Sequence, residues 1–160
     1  MSYRRRSARV LLIDGAGRVL LLRVKSKRRA FWLTPGGGVA DGEGLPEAAS
    51  RELHEEVGLS VPAAELGDPV AFSEGYAEFS WAEGIFRDDF FVHRVHAHEI
   101  DISGMEDFER RYHDGHRWWS PAELSTAADP VYPLGLAELV SELVAGGMPA
   151  EPVRLRWHHE

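Results

Sequence analysis

Apolar residues fall into two rhythms along this chain. Arg9-Val10-Leu11-Leu12-Ile13 and Val19-Leu20-Leu21-Leu22-Arg23-Val24 are nearly continuous branched runs separated by Asp14-Gly15-Ala16-Gly17, which predicts a hairpin of strands buried on both faces. Phe31-Trp32-Leu33-Thr34, Val70-Ala71-Phe72 and Arg117-Trp118-Trp119 read as further short strands, and Ile85 to Ala97 as a long one with partial alternation that follows a turn at Trp81 to Gly84. Phe72 and Phe90 are expected to pair across two of these strands. The second rhythm is helical. Ala48, Ala49, Leu53 and Val57 recur at helical intervals between Leu45-Pro46 and Gly58, and Leu136, Leu139, Val140 and Leu143 repeat the pattern before Gly146-Gly147. A short helix is expected over Asp107 to Tyr112. Ser120-Pro121-Ala122-Glu123 carries a helix start, with serine as cap, proline at the first position and glutamate at the third. The tail from Pro149 to Glu160 shows little core content. Strands and helices mix without regular alternation, so the expected fold class is α/β, a mixed β-sheet between helices.

Composition narrows the setting. With 160 residues, 44% of them hydrophobic and 28% charged, the chain suffices for one globular domain, and no linker, repeat or low-complexity stretch suggests a second. The absence of cysteine removes disulfides, thiolate zinc sites and a cysteine nucleophile, and fits a cytoplasmic location. The apolar run Val10 to Ile13 is too short for a signal-peptide core, and no stretch approaches the roughly 18 apolar residues of a membrane span. A formal charge of -8 argues against nucleic-acid binding. The charge is uneven: Tyr3 to Arg9 and Arg23 to Arg29 are basic, while Glu43 to Glu56 and Glu99 to Glu109 are acidic. An anion steered to the basic part would meet a metal ion at the acidic part.

The chemistry concentrates in Gly37 to Leu59. On a helix, Glu52, Glu55 and Glu56 stand at i, i+3 and i+4, so three carboxylates share one face within about a turn. Each like-charge pair costs the helix a few tenths of a kcal/mol, which a hard divalent cation removes. Pro35-Gly36-Gly37-Gly38 precedes the helix as a loop whose backbone can approach a ligand closely. An Arg51 within reach of Glu43 completes a loop, helix and acidic face. An acidic pair alone would read as a solvated helix surface; the glycine loop at fixed distance and the Glu43–Arg51 spacing reverse that reading.

With nine specified positions across 23 residues, the spacing of Gly37, Glu43, Arg51-Glu52-Leu53, Glu55-Glu56 and Gly58-Leu59 resembles the signature of the Nudix hydrolases. The resemblance implies an α/β/α sandwich and a Mg²⁺-dependent hydrolase, with Mn²⁺ as a substitute. Its substrate would be a small nucleoside diphosphate joined to another moiety, such as a nucleotide, a nucleotide sugar or a dinucleoside polyphosphate. By the same resemblance Glu55 and Glu56 coordinate the ion with the Gly37 carbonyl, Glu52 ligates it or orients the attacking water, and Glu43 and Arg51 are structural. His54 belongs on a second face. A further carboxylate from a later loop is expected, with Glu109 favoured over Glu106 and Glu99. Lys25, Lys27, Arg28 and Arg29 are candidates for distal phosphates, against the alternative of a solvated loop. Trp32, Phe72, Tyr76, Phe86 and Trp119 are candidates for stacking on a base. The asparagine that the oxidised-nucleotide branch carries late in the chain has no evident counterpart in Ser125 to Pro130. The rival function is a Nudix-fold nucleotide-sensing module without catalysis; the full carboxylate set favours the enzyme. The isomerase branch needs a cysteine that is missing. A homodimer is left open.

Overall fold

The structure is a computed structural model, and residues 2–158 of the chain are described. Its elements in order are β1 (Arg5–Ile13), β2 (Val19–Lys25), β3 (Ala30–Leu33), β4 (Gly36–Gly38), α1 (Leu45–Val57), β5 (Ala71–Glu78), β6 (Glu83–Arg94), α2 (Asp107–Tyr112), β7 (His113–Trp119), α3 (Pro121–Leu124), β8 (Val131–Tyr132), α4 (Leu136–Val144) and β9 (Val153–Arg154). The sheet is mixed, in the order β8-β3-β2-β1-β6-β5-β9, with β4 added to β1 and β7 to β2.

Strand periodicity splits the apolar residues into two cores. Ala8, Val10 and Leu12 of β1, with Leu20 and Leu22 of β2, meet Ala48, Ala49, Leu53 and Val57 of α1. The alternate residues Leu11, Ile13, Val19 and Leu21 meet Leu136, Leu139, Val140 and Leu143 of α4 on the other side. The fold is therefore the expected α/β/α arrangement. Burying a Leu or Val side chain stabilises by about 1.5–3 kcal/mol, several times the few tenths lost to each like-charge contact, so packing decides that α1 forms. Gly58 ends it in the left-handed conformation at φ 73°, its N–H donating to the His54 carbonyl, and Leu59 folds back to Leu53. No helix among the described residues is long and apolar enough to cross a membrane.

Four expectations are corrected. The β1–β2 hairpin is paired only at Ile13 with Val19; over its length β1 runs parallel to β6, and its first half takes β4 on the other edge. The glycine segment is thus a short strand rather than a loop. Gly36 sits at φ 145°, and a Cβ there would lie 2.6 Å from Arg9 Cα, so only glycine allows β4 so near β1. Phe72 faces Asp89, and Phe90 faces Ala71, a one-residue shift that puts the two rings on opposite faces. Phe90 is core, whereas Phe72 lies between the guanidinium groups of Arg87 and Arg154, at 4.2 and 4.9 Å. The tail contributes core: β9 runs parallel to β5, Leu155 is buried, and Trp157 covers the bare backbone of Gly75. The last two residues of that tail lie outside the described residues.

Candidate active site

The start of α1 is aimed by Arg51. Its Nε and Nη2 donate to the two Glu43 oxygens at 2.9 and 3.0 Å, Nη2 also donates to the Gly38 carbonyl at 3.0 Å, and Nη1 reaches Glu52 at 3.1 Å and Glu55 at 3.4 Å. One guanidinium thereby ties the helix, the Glu43 turn and β4 together. Its own pKa is raised chiefly by the bond to Glu43, and Glu43 is held below the usual carboxylate range by the same bond.

Gly36 and Gly37 receive the carboxylates that follow. The Gly36 N–H donates to Glu56 Oε1 at 2.7 Å. A Cβ on Gly37 would overlap the Glu52 carboxylate, lying 2.7 Å from its Cδ. Both acids are nearly buried. Helix α2 then adds Glu109, so that Glu52, Glu56 and Glu109 each offer an oxygen and these oxygens all lie within 4.8 Å of one another.

Three carboxylates in so small a space are electrostatically unsatisfied. Burial pushes the Glu56 carboxyl well up, reinforced by Glu52 and opposed by Arg9 and the Gly36 N–H. Burial also raises Glu52, with Arg51 pulling the other way and Glu109 and Glu55 adding to the rise. Glu109 is raised by burial first and by Glu55 and Glu106 among its neighbours. A divalent cation bound to oxygen ligands would cancel these costs, so the donor set fits Mg²⁺ or Mn²⁺.

The cavity around them is about 350 Å³ and is bounded by Arg5, Arg9, the β4 glycines, Glu55, and Phe108 and Tyr112 of α2. Glu55 faces it but is held by Arg51 and stands outside the closest carboxylate trio. His54 is exposed on another face, near Ser60 Oγ. The four candidate phosphate cations are placed elsewhere. Lys25, Lys27 and Arg28 are exposed and line neither this cavity nor the next, while Arg29 borders a second cavity and donates to Tyr132 Oη at 3.1 Å. Trp32 points to the opposite face of β3, edge-on to Trp119 at 5.1 Å. Phe72, Tyr76, Phe86 and Trp119 are likewise absent from the carboxylate cavity.

Arg5 and Arg9 were expected only as part of the basic stretch Tyr3 to Arg9, and Phe108 and Tyr112 not at all. A signal existed for the first two. Arg5, Ser7 and Arg9 are polar at alternate positions while Ala8, Val10 and Leu12 are apolar, the signature of a strand whose first half leaves one face to a cavity. For the aromatic pair on α2 the spacing i, i+4 around Glu109 was available, but nothing local tells which face of so short a helix meets the site.

A family model described as the NUDIX domain matches residues 3–140. The chain belongs to the NUDIX family. Among curated relatives, this NUDIX chain is 42% identical over 62 residues to an RNA pyrophosphohydrolase of Dinoroseobacter shibae, covering 39% of each protein. It is 28% identical over 119 residues to the nucleoside triphosphatase NudI of Escherichia coli O81, covering 71% of this chain and 80% of that one. The matches span only 21% to 43% of the length of the first three curated relatives. Among solved structures, the E. coli dihydroneopterin triphosphate pyrophosphohydrolase superposes with a TM-score of 0.66 at 21% identity over 92% of this chain and all of that one, a likeness of fold.

Proposed function

We propose that this NUDIX protein is a Mg²⁺-dependent hydrolase that splits the phosphoanhydride of a nucleoside diphosphate joined to another group. The observation that carries the reading is the buried trio of Glu52, Glu56 and Glu109, whose oxygens lie within 4.8 Å of one another. These three residues hold the ion, with the Gly37 carbonyl and Glu55 on the same cavity wall as further oxygen donors. When bound, the ion supplies charge neutralisation of the diphosphate and a lower pKa for water.

The protein's own groups do the rest. Glu56 is fixed by the Gly36 N–H, so its free oxygen faces the cavity in one orientation. Glu52, pressed against Gly37, orients the attacking water with the oxygen that does not hold the ion and accepts its proton. Water oxygen bonds to phosphorus, the bridging P–O bond breaks, and the leaving phosphate departs with the bridging oxygen. Glu43 and Arg51 position the helix without touching the reacting atoms. The names of the relatives, an RNA pyrophosphohydrolase and a nucleoside triphosphatase, support a substrate with a phosphoanhydride.

The test is a screen of nucleoside di- and triphosphates, nucleotide sugars and dinucleoside polyphosphates with Mg²⁺, products resolved by chromatography. Release of a nucleoside phosphate that stops in excess EDTA is expected. Binding of nucleotides without release of any product would favour the sensing module instead.

A further inference from the structure

Helix α2 brings Glu109 to the carboxylate trio, yet none of its six residues is buried. Elsewhere in this fold buried apolar side chains aim a helix, as Leu53 and Val57 do for α1. Packing cannot aim α2 in that way. Charge works against it too, because Glu55 and Glu106 crowd the Glu109 carboxylate with charge of its own sign.

The chain that leads into α2 is, by contrast, firmly docked. Residues 100–105 run as a strap along the C-terminal half of α1. The Asp101 N–H donates to the Val57 carbonyl at 3.1 Å, Ile100 and Ile102 pack against the α1 core, and Met105 is buried in it. Gly104 lies backbone to backbone on the helix: a Cβ there would stand 3.0 Å from the Glu55 carbonyl oxygen and 3.2 Å from Glu55 Cα. The Ser103 N–H donates to Asp101 Oδ1 at 2.9 Å and closes the turn. The strap is thus fixed to the helix that carries Glu52, Glu55 and Glu56.

Arg110 ties α2 to this strap. Its Nη2 donates to the Ser103 carbonyl at 2.6 Å and its Nε to the Met105 carbonyl at 3.2 Å. A planar fork that reaches two carbonyls fixes orientation, where one bond would leave a pivot. The Arg110 N–H donates to the Glu106 carbonyl at 3.0 Å, and the Glu106 N–H donates to Glu109 Oε1 at 3.3 Å. Guanidinium, helix start and Glu109 carboxylate therefore move as one unit. Both acceptors of the guanidinium are neutral carbonyls, so its part is geometry and not the balancing of a charge. Arg111, one residue on, is exposed and makes neither of these two bonds.

We propose that Arg110 is a positioning residue of the carboxylate centre, holding Glu109 opposite Glu52 and Glu56 by clamping the start of α2 to the strap on α1. The inference rests on the metal-binding reading above.

Calorimetric titration of Mn²⁺ into Arg110→Gln, Glu109→Gln and the double variant tests it. Arg110→Gln is expected to weaken Mn²⁺ binding about fivefold, the size of a lost hydrogen bond, and by no more than Glu109→Gln does. In the Glu109→Gln background the same substitution should change affinity less than about twofold, since no carboxylate is left to place. Coulomb's law alone gives the opposite sign: removing a cation near the site strengthens binding of a divalent ion, so a loss reports geometry. Arg111→Gln removes the same charge and should bind Mn²⁺ as the wild type does or slightly better. Arg110→Lys should fall between wild type and Arg110→Gln, because an ammonium keeps the charge without the fork. The metal-free melting temperature of Arg110→Gln should match the wild type, as α2 buries nothing. Full affinity in Arg110→Gln beside a loss in Glu109→Gln would overturn the inference and leave the metal centre standing. So would an equal loss from Arg110→Gln with and without Glu109, because the arginine would then act on something else. Full affinity in Glu109→Gln would remove that carboxylate from the metal centre and the inference with it.

Discussion

Glu56 carries two opposed duties at the scale of one residue. It is buried beside Glu52, which destabilises the fold, and in the proposed reaction it supplies a metal ligand. Glu56→Gln is expected to lower turnover by orders of magnitude while leaving the metal-free melting temperature equal or higher. The pH dependence follows from the same shift. The folded carboxyl takes a proton at a higher pH than the unfolded one, so metal-free stability rises as pH falls through the raised folded value towards the ordinary one. Glu56→Gln should flatten that rise, Glu52 and Glu109 supplying what remains; melting curves in EDTA across the acidic range would show it, and parallel curves for the two proteins would speak against it. Arg51 is the reverse case, a residue whose removal strands others. Its side chain is 36% exposed, so Arg51→Ala should cost less than the ~3 kcal/mol of a fully buried pair, yet more than the fraction of a kcal/mol of a solvated one. An unchanged melting temperature would remove its structural role.

Among the elements, α1 was the most legible from sequence and β4 the least. The helix announces itself through Pro46, the spacing of Ala48, Ala49, Leu53 and Val57, and Gly58, all of them local signals. Its Glu43–Arg51 brace was legible too, through the fixed spacing of the signature, although Glu43 lies in the turn before the helix and Arg51 well inside it. Three glycines, by contrast, carry no side-chain pattern, so their pairing with Ser7–Arg9 is set by the tertiary contact of β1 and could not be read along the chain. The same holds for Phe72, whose face is set by the tertiary register of β5 with β6, which brings it against Arg87 and Arg154. In the tail the signal was present and passed over, since Val153, Leu155 and Trp157 alternate with Arg154 and Arg156. The first two glycines of β4 separate fold from chemistry. Gly36→Ala forces a side chain onto Arg9 Cα at positive φ and should cost at least ~2 kcal/mol of stability. Gly37→Ala meets first the end of the Glu52 side chain, so it should weaken metal binding with a smaller change in melting temperature. Equal thermal penalties for both would contradict this division.

Across the whole molecule, the charge asymmetry seen in sequence resolves into two separate basic regions. The β2–β3 loop cations Lys25, Lys27 and Arg28 are exposed and away from the carboxylates, while Arg5 and Arg9 lie beside them. Lys27→Ala combined with Arg28→Ala should therefore leave KM within about twofold for every substrate, beyond a weak salt-dependent effect of screened charge. A selective rise for the most charged substrate would return the loop to the site.

Glu52, Glu56 and Glu109, drawn from two helices far apart in sequence, are proposed to form one metal centre. Calorimetric titration of Mn²⁺ into the wild-type protein, Glu56→Gln and Glu109→Gln tests it most directly. Binding by the wild type and a loss of at least about tenfold in both variants, as expected when a charged ligand is removed, is the predicted result. Mn²⁺ affinity unchanged in both variants would contradict it.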